Sequence, residues 1–150
     1  MKGLLNRLSE GNMSVISNEI ENIYIHNSRN DINKILSNLI LTSCVSVSLM
    51  PEKLLMEHTM VLAILSSHIG TEVAAFFVER LAELFDHLHK DSHRQGKECA
   101  NVVALFAHLY NFKIIHCCLI YDIIRRLADS FTGQDVELLL LPSKKYWSRN

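Results

Sequence analysis

Proline and glycine are nearly missing from the long stretches of this chain. Two prolines and five glycines among 150 residues fall between its periodic segments. With helix breakers kept out of those segments, the pattern predicts an all-helical protein. A long apolar run is also lacking: none approaches the ~20 residues that span a bilayer. Asn6 and Arg7 interrupt Met1-Lys2-Gly3-Leu4-Leu5 before the apolar core of a signal peptide can form. The chain reads as soluble and intracellular, and its helical first residues read as a domain taken from a longer protein. Positive charge is not in excess, with a formal net charge of −1 and a pI near 6.7. That balance excludes phosphate binding driven by overall charge and leaves only local patches. Neither GxxxxGK[ST] nor GxGxxG occurs, so ATP turnover belongs to a partner. CxxC spacing is absent too. Cys44, Cys99, Cys117 and Cys118 lie in or beside apolar stretches and read as reduced core thiols. Neighbours on a helix project about 100° apart, so Cys117 and Cys118 do not easily hold one ion.

The chain does contain a repeat. Capping and breaker signals start long amphipathic segments near Asn12, Asn30, Pro51, Thr71, Lys97 and His116. Alternate onsets are separated by roughly 40–47 residues, the period of two-helix HEAT units. The expected fold is an all-α, HEAT-like solenoid of antiparallel helix pairs, about seven to eight helices in all. One domain over residues 1–141 and a disordered tail over 142–150 complete the organisation. A hydrophobic fraction of 49% is enough to fill such a core.

A short first helix is expected from Gly3 to Ser9, stopped by Gly11, with Asn12 capping the next. Met13, Ile16, Ile20, Ile23 and Tyr24 then share a face at helical spacing. Ser28 and Asp31 form an S-x-x-D capping box ahead of a stripe of Ile32, Ile35, Leu36, Leu39 and Ile40. Pro51 suits a first turn, and behind it come Leu54, Leu55, His58, Val61, Leu62 and Leu65. Gly70 and Thr71 break the chain briefly, so the flanking helices fold back on each other. Val73, Phe77, Leu81, Leu84 and Leu88 line the next inner face. Asp86 to Lys97 reads as a mobile loop in which Ser92 and Gln95 cap the next helix. Val102, Val103, Phe106, Leu109 and Tyr110 mark the sixth helix, and Leu119, Ile120, Ile123, Ile124 and Leu127 the seventh. Thr132 and Asp135 start a last short helix, which Pro142 stops.

Residues with reactive chemistry are few. His87, His89 and His93, with Asp86 and Asp91, are the one local set with metal-ligand spacing, through i, i+4 pairs. A polar helix end explains them equally well, because His and Lys complement the macrodipole there. His58 and His108 sit within apolar stripes and read as core histidines bonded to backbone, not general bases. Arg125 and Arg126, near Asp122 and Asp129, form ordinary helix-surface ion pairs or a small basic spot for RNA.

Gly3-Leu4-Leu5-Asn6-Arg7-Leu8-Ser9, the run Asn27-Ser28-Arg29-Asn30-Asp31, Leu54-Leu55-Met56-Glu57-His58 and Ala107-His108-Leu109-Tyr110-Asn111-Phe112 carry a resemblance. In their order and spacing they are similar to the middle domain of eukaryotic translation initiation factor 4G. The version found in nucleolar proteins is the most similar, over about residues 2 to 141. The resemblance implies a non-catalytic adaptor without cofactor that binds a DEAD-box RNA helicase of the initiation-factor-4A class and clamps its two lobes. For the nucleolar branch it implies small-subunit ribosomal RNA processing in the nucleolus, in contact with pre-ribosomal particles or ribosomal RNA. An RNA-binding HEAT scaffold, or the same module in translation initiation or splicing, is the alternative. The family's Asn-basic-Leu-hydroxyl motif on the helicase-facing edge reads Asn6, Arg7, Leu8, Ser9 here, which makes Asn6 and Arg7 the partner-binding candidates. At Pro142 the chain departs from the family. It looks C-terminally truncated, leaving Val136, Leu139 and Leu140 without part of their expected cover, and self-association or marginal stability is the expected consequence.

Overall fold

A computed structural model describes residues 1–90 and 96–114. The expectations for Asp91 and His93, for Ser92 and Gln95, for Cys117 and Cys118, for Arg125 and Arg126, and for the helices and tail beyond residue 114 lie outside these residues. Six α-helices are arranged in order along the chain: α1 (Lys2–Asn6), α2 (Met13–His26), α3 (Arg29–Cys44), α4 (Glu52–His68), α5 (Glu72–Lys90) and α6 (Glu98–Asn111), with a 3-10 turn at Glu10–Asn12 before α2. No strand occurs among the described residues, and no helix there is long and apolar enough to cross a membrane.

The five long helices start within a residue or so of their expected onsets. They stack in two layers. Helix α4 packs against both α2 and α6 in one layer, and α3 packs against α5 in the other. The pairs α2–α3 and α4–α5 close each repeat, while α3–α4 and α5–α6 contacts join one repeat to the next. A helix pair cannot cover its own apolar stripe, and this stacking does so with a single continuous interior. Ile20, Leu36, Ile40, Leu55, Leu62, Leu65, Phe77, Leu81, Phe85 and Phe106 are among its largest fully enclosed side chains. Each contributes about 1.5–3 kcal/mol through removal from water. Phe85 meets Phe106 edge-on at 6.3 Å, joining α5 to α6.

Several local expectations are corrected. Helix α1 ends at Asn6, with Arg7 already at φ −95° and ψ 0°, and Gly11 belongs to the 3-10 turn instead of stopping the helix. Ser28 is the N-cap of α3, yet its side chain makes no capping bond, so the S-x-x-D box gives the boundary without the interaction. Ile35 falls off the α3 stripe and is 47% exposed, because α3 is covered only on the face that carries Ile32, Leu36 and Ile40. Helix α5 runs on to Lys90, through the first part of the expected loop. Leu88 packs against the core and His89 stacks on Phe85 at 5.5 Å, which keeps the last turn wound. Helix α6 is no half-covered surface helix: Cys99 through Leu109 are all buried, the condition of a helix enclosed on all sides.

The turns between helices fall on two opposite edges. One edge holds the α2–α3 and α4–α5 turns. The other holds α1, the 3-10 turn, the α3–α4 connection and the approach to α6. On this second edge Asn101 of α6 is fully buried and bonds the connection at Ser46, Ser48 and Met50. Gly96 leaves no room for a side chain there, since a Cβ would come within 2.9 Å of the Val47 Cα.

Candidate functional site

Asn6 and Arg7 lie side by side at the end of α1, both exposed. A five-residue helix does not persist alone, so its end must be held from outside. Leu5 supplies one anchor, 3% exposed and part of the core. Asn12 supplies a second: its amide donates to the Arg7 carbonyl at 2.6 Å and its side-chain oxygen accepts the Ser9 N–H at 2.8 Å. The third comes from the next repeat, where Glu57 of α4 accepts the Glu10 N–H at 3.0 Å. Glu57 is 8% exposed, a buried carboxylate placed at the positive end of the 3-10 turn.

The Arg7 guanidinium is oriented but only loosely engaged. Its Nε donates to the Gly3 carbonyl at 3.3 Å, and one terminal nitrogen stands 3.9 Å from a Glu19 carboxylate oxygen. Both of those side chains are about half exposed or more, so the ion pair is worth little and is easily exchanged for another acceptor. Guanidinium carries five N–H donors in a planar fork. Beside it the Asn6 amide has no hydrogen-bond partner among the described residues. Such a pair can make directed hydrogen bonds to a carboxylate or to backbone carbonyls; nothing in it can perform bond-making chemistry.

On the opposite edge an open groove of about 380 Å³ is lined by Glu21, Tyr24, Ile25, Asn27, Arg29, His68 and Ile69. Its polar groups are engaged in joining repeats: Arg29 meets Glu72 at 2.7 Å and His68 meets Glu21 at 3.2 Å. Glu72 is held below the usual carboxylate range by its own backbone N–H and by the Arg29 hydrogen bond. Tyr24 donates to Asn33 at 2.7 Å inside the α2–α3 pair, and burial, aided by the Glu72 charge, pushes its phenol up so that it stays protonated.

His58 and His108 belong to the interior. His58 donates from Nδ1 to the Leu54 carbonyl one turn earlier at 2.8 Å and is buried, as is His108. Burial lowers both below the usual histidine value. His87 is exposed, whereas His89 is half-buried against Phe85. Two residues apart on a helix, they point in diverging directions. No cluster of three His, Cys, Asp or Glu able to hold a metal occurs among the described residues.

Comparison with known proteins identifies the architecture. The MIF4G domain model matches residues 1–146. The chain belongs to the MIF4G domain family. Human nucleolar MIF4G domain-containing protein 1 is 44% identical over 144 residues, which is 96% of this chain and 17% of that protein. Its homolog in Drosophila melanogaster is 36% identical over 93% of this chain and 17% of the relative. The suppressor of glycerol defect protein 1 of Schizosaccharomyces pombe is 33% identical over 93% of this chain and 19% of its own length. This MIF4G chain thus spans less than a fifth of the length of these relatives. No solved structure matches it.

Within this MIF4G domain the structure places Asn6 and Arg7 together on an exposed edge, next to the turn that joins α1 to α2. It also adds residues that sequence reasoning passed over. Glu57 lies inside the run Leu54-Leu55-Met56-Glu57-His58, where the resemblance gives it no role of its own. Only its place in an apolar stripe, a carboxylate between Leu55 and Val61, hinted that it had a buried partner. Asn101 stands out for the same reason, a polar side chain ahead of the unbroken apolar run of α6.

Proposed function

We propose that this chain is a non-catalytic adaptor that binds a DEAD-box RNA helicase of the initiation-factor-4A class through the edge carrying Asn6 and Arg7, and that it serves small-subunit ribosomal RNA processing in the nucleolus. Its relatives support the compartment, since two of them are named as nucleolar proteins. One observation carries the binding mode: the Arg7 guanidinium is exposed and oriented by Gly3, yet only loosely paired with Glu19. Such a group gives up little on exchanging Glu19 for a partner's acceptor, and a directed charge-assisted bond gains specificity. A solenoid edge that holds both helicase lobes raises turnover only by binding the closed arrangement more tightly than the open one. The adaptor itself then needs no ATP site.

The test is binding of the purified chain to a recombinant helicase of that class, measured by calorimetry beside the Asn6→Ala, Arg7→Ala double variant. A loss of about tenfold or more in affinity is expected for the variant, in the range of an interface hot spot. Equal affinity of the two proteins places the interface elsewhere. Absence of any binding by the parent chain defeats the helicase reading. Parallel titration with single-stranded RNA separates the adaptor from a plain RNA scaffold, which would show a steep salt dependence without helicase.

A further inference from the structure

We infer that Glu57 is the positioning residue of the Asn6–Arg7 edge: by gripping the Glu10 N–H from the second repeat, it keeps the end of α1 in its binding geometry. This rests on the reading of Asn6 and Arg7 as the partner contact. Three features converge on it. Residues Glu10 and Glu57 are 47 positions apart, so the 3.0 Å bond ties the N-terminal segment to a helix three elements further along. The bond is made by a carboxylate that is 8% exposed, and a carboxylate so placed is retained at a desolvation cost that a methionine or leucine would avoid. Finally, the segment it holds is shallowly anchored, with Met1, Leu4 and Leu8 only partly buried against the core and Asn12 bonding within the segment itself. In α1 only Leu5 is buried, and Arg7 adds one loose surface pair.

The tether acts through the 3-10 turn. Glu10 is its first residue, so Glu57 meets an N–H that no intrahelical acceptor can satisfy. At the other end of the same turn Asn12 holds the Arg7 carbonyl and the Ser9 N–H. Fixing Glu10 therefore fixes Asn12, and Asn12 fixes Arg7. A partner meeting a preformed edge avoids the ordering cost that a frayed one would add to binding. Releasing Glu10 should loosen the Asn6–Arg7 pair and leave the apolar core in place, since Glu57 is buried but is no member of the hydrophobic cluster.

Glu57→Met tests this in the whole chain, because it keeps the side-chain volume and removes only the buried acceptor. Hydrogen exchange of the Glu10 amide should accelerate by about tenfold or more, the scale of one lost buried bond. Affinity for the recombinant helicase should fall by a similar factor while the melting temperature holds or rises. Glu57→Gln, which retains an acceptor oxygen, should restore most of both. A merely structural Glu57 predicts otherwise: melting and binding would fall together, and that result overturns the proposal. Unchanged Glu10 exchange in Glu57→Met overturns it as well, as does faster exchange with unchanged affinity. The Asn6→Ala, Arg7→Ala variant keeps the two ideas separable. If that variant binds like the parent, the contact reading fails, while the Glu10 exchange still decides whether Glu57 orders the edge.

Discussion

Asn101 accepts the backbone N–H of Met50 at 2.9 Å across 51 residues of sequence. The same side chain donates to the carbonyls of Ser46 and Ser48 at 3.0 and 2.9 Å. One fully buried amide thus supplies the hydrogen bonds that the α3–α4 connection cannot make within itself. Lys97 adds its N–H to the Val47 carbonyl at 2.9 Å, so the connection is pinned against the start of α6 at several points. Asn101→Ala should destabilise the chain by about 2–4 kcal/mol, because it strands one N–H and two carbonyls at once. Urea unfolding followed by circular dichroism measures this. A change below about 0.5 kcal/mol would mean that water replaces the amide without penalty.

Helix boundaries were open to sequence reading because their signals are local. Pro51 and Gly70 sit where α4 begins and ends, and apolar residues recur at helical spacing between them. The two-layer stack is implied by the repeat alone, and membership of the family by the order of motifs. Illegible were the contacts that join distant segments. Nothing near Asn101 in sequence announces Met50, and nothing near Glu57 announces Glu10. The end of α5 was hidden for a related reason: the polar string after Asp86 masks that Leu88 and His89 still reach the core and Phe85. Of the candidate site, the two exposed residues were legible through resemblance, whereas the residues that hold them needed coordinates.

Adjacent residues on α3 give a clean contrast. Leu36 is 1% exposed and Ile35 is 47% exposed, although their spacing alone puts both on one stripe. Leu36→Ala should cost about 2–5 kcal/mol through lost burial and the cavity left behind. Ile35→Ala should stay within about 0.5 kcal/mol, since a surface site has no cavity to leave. Thermal unfolding of the two variants decides between this burial pattern and the broader stripe. Similar losses at both positions would restore the stripe.

Stability should fall on mild acidification. Burial is the largest influence on both His58 and His108 and lowers each below 6.5; the Leu54 carbonyl and the Glu57 charge oppose it at His58, and the Glu52 charge opposes it at His108. Between those lowered values and 6.5 the unfolded chain binds protons that the native one refuses. Stability therefore rises with pH through that window and levels off above it, with a slope of at most about 1.4 kcal/mol per pH unit for each histidine. Urea midpoints at pH 7.5 and pH 5.5 measure the drop, and His58→Gln with His108→Gln should flatten it. An unaltered slope in the double variant would assign the acid sensitivity to carboxylates instead.

Cys44 closes α3 immediately before the connection that Asn101 holds, fully buried, with its thiol pushed up to about 12 by desolvation. Alkylation needs the thiolate and access to it, and here both are denied. Iodoacetamide at pH 8 should leave Cys44 unmodified in the native chain and label it fully in denaturing urea, as read by peptide mass. Because labelling requires local opening, its rate reports how firmly the end of α3 is held. Asn101→Ala should raise that rate even under conditions where the helical content is unchanged. If the variant labels no faster than the parent, the connection and the end of α3 open independently, and the amide clamp acts on the loop alone.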